Sequence, residues 1–217
     1  MTTSYRIAWL LSRFLFTVYF RYRVYNPERV PLRGGVVLAS NHASYADPFL
    51  IGAGVRRPLN YLARETLFRF PVFGRLLKSW NAVPVDRDGA GATGLKNILS
   101  RLLEGGAVVL FPEGTRTSDG KWQKVRSGVG LTVIKSNAPV IPVRLFGTFE
   151  AYGRHRNVPL PRTVTVKYGE VLDFSKARAE AALCSKARLK QIYQEIADQI
   201  MDAIRDLEPC REKARFP

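Results

Sequence analysis

Acidic residues and cysteines are both scarce in this chain of 217 residues. Asp and Glu number 18 against 34 Lys and Arg, which gives a formal net charge of +16 at pH 7. The positive field attracts anions, so the candidate partners are nucleic acid, an anionic membrane surface or a phosphorylated small molecule. The two cysteines, Cys184 and Cys210, lack the spacing of metal ligands. We expect them to be free thiols in a reducing compartment rather than a disulfide.

The chain also lacks an uninterrupted apolar run of the roughly 20 residues that a membrane-spanning helix needs. Its most apolar segment, 7–20, contains Arg13, and no small-residue cleavage site follows, which argues against a secretory signal. A helix over 5–23 would mix aromatic side chains with arginines, as helices in a membrane interface do. The alternative is a helix that packs on the core. We expect an amphipathic membrane-associating segment over 1–26 and one domain over 27–217.

Strand-like and helix-like segments alternate along the chain. Short runs rich in β-branched residues occupy 36–39, 107–111 and 140–145, and segments of helical periodicity separate them. Near the end, Ile recurs every four positions over 192–204, which predicts a buried helix face. This alternation predicts an α/β fold, with a mixed, largely parallel central sheet covered by helices.

One predicted strand ends at a histidine that an aspartate follows five positions later. The run 36–39 stops just before His42, and Asp47-Pro48 has the form of a helix start, where Asp can cap and Pro fits the first turn. In open α/β sheets, sites are built on such turns. Taken alone, however, these residues are better interpreted as an ordinary loop histidine and a helix cap.

Two further strand exits carry charged residues. Arg87 follows a short strand with Pro84, which predicts an edge position. An arginine at a strand end can bind phosphate, but for this residue taken alone a surface ion pair with Asp86 or Asp88 is the better interpretation. Glu113 and Arg116 follow the strand at 107–111. Because carboxyl ends of parallel strands lie at one edge of a sheet, we expect these groups to approach His42 and Asp47.

A basic loop at 153–156 contains the second histidine of the chain, His155. Loop histidines are most often solvated. We therefore expect His155 on the surface, without a catalytic role.

Four segments resemble, in order, the motifs of the glycerolipid acyltransferases, the 1-acylglycerol-3-phosphate acyltransferase family. They are Asn41–Asp47, with a histidine, four residues and an aspartate; Ala82–Arg87, which ends in an arginine; Phe111–Arg116; and Val140–Val143. One such match could arise by chance. Four in the family's order make the resemblance specific.

The resemblance implies that His42 is the catalytic base and Asp47 its partner. Histidine suits the removal of a hydroxyl proton near neutral pH, and an aspartate can hold the ring in the useful tautomer and stabilise the imidazolium. The substrate hydroxyl attacks directly, so we expect no nucleophilic Ser or Cys, no metal and no cofactor. The residues expected to bind the substrate, with the arginines on its phosphate, are Arg87, Glu113, Gly114, Thr115 and Arg116.

We therefore expect a peripheral enzyme of phospholipid synthesis on the cytoplasmic face of the cell membrane. It would transfer a fatty acyl group from acyl-CoA or acyl-ACP to lysophosphatidic acid at an anionic membrane surface. Glycerol-3-phosphate or a lyso-ornithine lipid remains open as the acceptor, and a non-catalytic lipid-binding protein is the alternative class. No nucleic-acid partner is expected, because the chain has no recognisable binding motif and its basic residues are spread along it.

Overall fold

A computed structural model describes residues 3–85 and 92–209. The strands are β1 (Arg23–Tyr25), β2 (Val36–Ser40), β3 (Leu59–Arg64), β4 (Ala82–Val85), β5 (Ala107–Leu110), β6 (Val140–Phe146) and β7 (Thr165–Tyr168). The α-helices are α1 (Thr3–Phe20), α2 (Asp47–Ala53), α3 (Pro71–Ser79), α4 (Ala92–Leu103), α5 (Gly128–Ser136), α6 (Thr148–Tyr152), α7 (Ser175–Leu183) and α8 (Lys186–Arg205). Two short 3-10 helices cover Pro27–Arg29 and Glu65–Arg69.

The strands form a seven-stranded sheet in the order β1-β7-β6-β2-β5-β3-β4. Every neighbouring pair is parallel except β6 and β7. This confirms the predicted mixed, largely parallel sheet. Strand β4 lies at one edge of the sheet, as the sequence predicted. An edge strand tolerates Pro84, because proline has no backbone N–H to donate to a neighbouring strand.

Helices cover both faces of the sheet. Side chains of α1 and α2 pack with Leu38 and Ile141 on one face, and those of α4, α5 and α8 pack with Val37 and Val108 on the other. Strand β2 is therefore buried on both sides, which explains its continuous apolar run. The isoleucine stripe predicted as core is buried along α8: Ile192, Ile196, Ile200 and Ile204.

Helix α1 begins at Thr3 and ends three residues before the end of the 5–23 span predicted for it. It ends at Phe20, because Arg21 adopts a left-handed φ of 46° and turns the chain. The N–H of Arg23 then donates to Val164 O over 2.9 Å, and β1 begins beside β7. The sheet thus includes residues of the expected segment 1–26, and the boundary of a membrane-associating segment stays a prediction.

The two faces of α1 differ. One face packs on the domain, where Trp9 Nε1 donates to Gly52 O over 3.1 Å and the Leu59 N–H donates to the Tyr5 hydroxyl over 3.0 Å. The other face exposes 42–67% of each of seven large apolar side chains: Ile7, Leu10, Leu11, Phe14, Leu15, Val18 and Tyr19. The core-packing alternative therefore describes one face, and membrane contact stays a prediction for the other.

Across residues 3–85 and 92–209, no helix is both long enough and apolar enough to cross a membrane. Cys184 is a half-buried free thiol, whereas Cys210 lies outside the described residues.

Candidate active site

The loops that follow β2 and β5 lie side by side, because these parallel strands are neighbours and end at the same edge of the sheet. Asn41 fixes the first loop to β6, on the other side of β2. Its Oδ1 accepts from the Leu145 N–H over 2.8 Å, and its Nδ2 donates to Leu145 O over 3.1 Å. The residue before His42 is thus held by both backbone groups of one β6 residue.

His42 and Asp47 are joined as the sequence predicted. Nδ1 of His42 lies 2.9 Å from Oδ2 of Asp47. The same oxygen accepts the N–H groups of Ala43 and Ser44 over 2.6 and 2.7 Å, and Asp47 is fully buried. Three contacts on one oxygen fix the carboxylate in its orientation towards the imidazole.

The prediction that Asp47 caps the following helix is wrong. Helix α2 begins at Asp47 itself, with Pro48 in its first turn. The carboxylate accepts N–H groups from the preceding loop and makes no capping bond within the helix. Its hydrogen-bonding capacity is used to shape the His42 loop instead.

The Phe111 ring packs against one face of the His42 imidazole. Its ring stacks on that of His42 with centroids 3.8 Å apart and planes 14° apart. The His42 side chain is 12% exposed. The sequence placed Phe111 at the end of a strand but did not indicate this contact, because the contact depends on how two loops meet.

Glu113 links the loops of the site. It is buried, and its Oε1 accepts the His42 N–H over 3.0 Å while Oε2 accepts the Gln123 N–H over 3.0 Å. Burial raises the pKa of Glu113, and these two N–H groups oppose that rise. The Thr117 N–H also donates to His42 O over 2.9 Å. The loop after β5 therefore holds both backbone groups of His42.

Arg116 lies against Tyr45, a residue of the loop between His42 and Asp47. Its Cζ is 3.3 Å from the centroid of the Tyr45 ring. Among the described residues, no carboxylate forms an ion pair with Arg116, and its buried Nη1 has no hydrogen-bond partner. A hydrogen bond with Arg116, followed by the charge of this arginine, lowers the pKa of Tyr45. Within residues 3–85 and 92–209, the guanidinium is thus a cation without a carboxylate counter-ion.

The structure brings together most of the predicted site residues. Glu113, Gly114, Thr115 and Arg116 all lie in the loop beside His42, whereas Arg87 falls outside the described residues. Gly114 adopts a left-handed φ of 67°, and its N–H donates to Phe111 O over 2.9 Å. Within the described ranges, no cluster of His, Cys, Asp and Glu could hold a metal ion.

The chain is similar to a known protein family. The family described as Acyltransferase matches residues 21–145. The 1-acyl-sn-glycerol-3-phosphate acyltransferase of Bacillus subtilis (strain 168) is 33% identical over 126 residues, covering 58% of this chain and 62% of the relative. The protein of the same name from Cocos nucifera is 28% identical over 131 residues, covering 59% of this chain and 42% of the relative. The matches thus span less than two thirds of these relatives' lengths.

A solved structure shares the fold. The crystal structure of the 1-acyl-sn-glycerophosphate (LPA) acyltransferase PlsC from Thermotoga maritima superposes with a TM-score of 0.72 at 24% sequence identity. The superposition covers 95% of this chain and 81% of that protein. Because the family match spans more than half of the chain and includes all four predicted motifs, this protein belongs to the acyltransferase family.

Proposed function

We propose that this protein transfers a fatty acyl group from acyl-CoA or acyl-ACP to the free hydroxyl of lysophosphatidic acid, with His42 as general base. The observation that carries the proposal is the His42–Asp47 pair, with 2.9 Å between Nδ1 and Oδ2, in a loop that also contacts Arg116, whose buried Nη1 has no hydrogen-bond partner among the described residues. The names of the matched relatives support the choice of acceptor.

The chemistry follows from the two nitrogens of the imidazole. With Nδ1–H donating to Asp47, the Nε2 atom takes the proton of the acceptor hydroxyl as its oxygen attacks the thioester carbonyl carbon. The tetrahedral intermediate then collapses, the C–S bond breaks, and the imidazolium returns the proton to the departing thiolate of the carrier. The negative charge of Asp47 stabilises the imidazolium between these steps.

The acceptor's phosphate would be held by charge-assisted hydrogen bonds from Arg116 and Arg87. We assign Thr115 and the backbone of Gly114 to the same pocket, since both precede Arg116 in the same loop. Both oxygens of Glu113 accept backbone N–H groups. Its contribution to substrate binding would therefore be indirect: it would hold in place the loop that contains Arg116.

We place the protein peripherally on the cytoplasmic face of the membrane, attached by the exposed apolar face of α1. Interfacial helices bury such a face at the level of the lipid head groups and acyl chains. The net charge of +16 favours an anionic surface. In this arrangement, the membrane-associating segment predicted over 1–26 acts through α1, because residues 23–25 belong to the sheet. Both substrates are lipids or lipid carriers reached from that surface.

The test is acyl transfer by purified variants, followed by thiol release and by mass spectrometry of the lipid product. We expect His42→Ala to lower kcat by roughly 10²–10⁴-fold. Asp47→Asn retains an oxygen for the imidazole but removes the charge, so we expect kcat to fall about 10²-fold or more with little change in KM. Lys190→Ala is the control, because Lys190 is exposed on α8, and its kcat should equal that of the wild type.

Two outcomes would contradict the proposal. Full activity of His42→Ala would remove the base assignment. Vesicle binding without consumption of thioester for any lysolipid would favour the non-catalytic lipid-binding alternative. A panel of lysophosphatidic acid, glycerol-3-phosphate and a lyso-ornithine lipid, each with acyl-CoA and acyl-ACP, identifies the acceptor and the donor.

A further inference from the structure

The basic loop at 153–156 lies against the candidate active site, although no role is predicted for it from the sequence. Gly153 forms an antiparallel bridge with Ser44, which lies between His42 and Asp47. The Nη2 atom of Arg154 donates to the Thr115 hydroxyl over 3.3 Å. The loop therefore contacts the first and the third family motif at once.

Arg154 adds a second cation beside Arg116. Among the described residues, neither arginine forms an ion pair with a carboxylate, and the Nη1 of Arg116 is buried without a partner. The hydrogen bond from Arg116 and, more weakly, the charge of Arg154 both lower the pKa of Tyr45. Two neighbouring guanidinium groups repel each other unless an anion lies between them.

The surrounding contacts restrict where these guanidinium groups lie. The Tyr45 ring packs on Arg116, with 3.3 Å between the Arg116 Cζ and the ring centroid, and its centroid is 5.6 Å from that of Tyr152. Thr115 tethers Arg154 by its hydroxyl. An arginine held in place loses less entropy when its planar fork binds a phosphate.

We infer that Arg154 is a further acceptor-binding residue, which holds a phosphate monoester together with Arg116. Two guanidinium groups match the double charge of a monoester, whereas a diester carries one negative charge and a neutral acylglycerol none. Arg154 thereby selects acceptors with a terminal phosphate, and Tyr45 positions Arg116. This inference rests on the proposed function and assigns a role to a loop outside the four motifs.

The test compares Arg154→Ala, Arg154→Lys and the control Lys190→Ala, which removes one exposed charge from α8. For Arg154→Ala we expect KM for lysophosphatidic acid to rise roughly 10-fold or more, with kcat and the donor KM within about 2-fold of the wild type. Activity with monoacylglycerol should not change. Arg154→Lys retains the charge and should recover part of the loss, and Lys190→Ala should behave as the wild type.

The pH dependence of KM distinguishes phosphate binding by Arg154 from a purely structural role. A phosphate monoester gains its second charge with a pKa of about 6. The wild-type KM should therefore fall as the pH rises from about 5.5 to 7.5, and Arg154→Ala should show a shallower fall. An unchanged KM for Arg154→Ala, or an increase in the donor KM alone, would overturn the inference.

Binding of glycerol-3-phosphate separates this inference from the proposed function. Calorimetric titration of the full chain measures phosphate binding without acyl transfer. If the wild type transfers no acyl group but binds glycerol-3-phosphate about 10-fold more tightly than Arg154→Ala, the proposed function fails and the assignment of Arg154 stands. Equal affinity of the two proteins overturns the assignment, whatever the transfer assay gives.

Discussion

Oε1 of Glu113 accepts the backbone N–H of His42 over 3.0 Å, so the third motif holds the first by its main chain. The other carboxylate oxygen accepts the Gln123 N–H over 3.0 Å. One buried side chain thus joins the loop after β2 to two parts of the loop after β5. Since the imidazole can meet a substrate only if the His42 backbone is fixed, Glu113 affects both stability and catalysis.

The substitution Glu113→Gln should lower both the stability of the protein and its kcat. A glutamine has one acceptor oxygen, so its NH₂ group would face one of the two backbone N–H donors. Leaving a buried donor unsatisfied costs about 1–3 kcal/mol of unfolding free energy. We expect kcat to fall as well, because the His42 backbone would shift. Urea unfolding measures the change in stability, and the transfer assay measures the change in kcat. Wild-type kcat and stability in Glu113→Gln would contradict the positioning role.

The raised pKa of Glu113 also predicts a pH dependence of stability. Between the ordinary glutamate pKa and the raised one, the folded protein keeps a proton that the unfolded chain has released. The contribution of Glu113 to the free energy of unfolding is therefore greatest below this pH window and is lost as the pH rises through it. Glu113→Gln cannot titrate and should remove this part of the slope in urea unfolding. Glu104→Gln is the control: because Glu104 is exposed, this variant should retain the pH dependence of stability that Glu113 causes.

The central strands could be predicted because they are buried on both faces, which leaves a continuous apolar run such as 36–39. Strand β1 could not, because its three residues are too few for a periodic pattern and depend on pairing with β7. Likewise, α1 has apolar side chains on both faces, so its sequence alone could not distinguish packing on the core from exposure.

The site divides in the same way. His42, Asp47 and Arg116 could be predicted, because each follows a strand at a spacing that the family shares. The contacts of Tyr45 and Arg154 could not, since they arise where three loops distant in the sequence meet. Such contacts depend on the loop conformations, which no short-range pattern specifies.

The glycine of the third motif has a conformational reason for its identity. Gly114 has a φ of 67°, and a Cβ atom there would lie 2.8 Å from Cδ of Arg126. We expect Gly114→Ala to lose about 1–2 kcal/mol of unfolding free energy from the left-handed conformation, and activity to fall because the loop next to Arg116 shifts. Gly128→Ala is the matched control, because it meets no atom within 4 Å and should change stability little. Equal stability of the two variants would contradict this account.

The exposed face of α1 is the largest feature that the packing of the domain leaves unexplained. Its apolar side chains follow helical spacing opposite the face that packs on α2, and Leu11 and Phe14 are 57% and 66% exposed. Water-exposed apolar surface on this scale commonly marks an interaction site. Substitutions there should affect membrane binding without disturbing the fold, because these side chains are not part of the core.

We therefore expect the double substitution Leu11→Ser and Phe14→Ser to weaken binding to anionic phospholipid vesicles by roughly 10–100-fold, since each apolar side chain contributes up to about 1.5–3 kcal/mol when fully buried. Co-sedimentation measures the binding, and thermal unfolding should stay within a few degrees of the wild type. Leu183→Ser is the matched control, because Leu183 is 91% exposed on α7, away from α1. Equal vesicle binding by the double variant and this control would exclude α1 as the membrane contact, whereas a loss confined to the double variant assigns it.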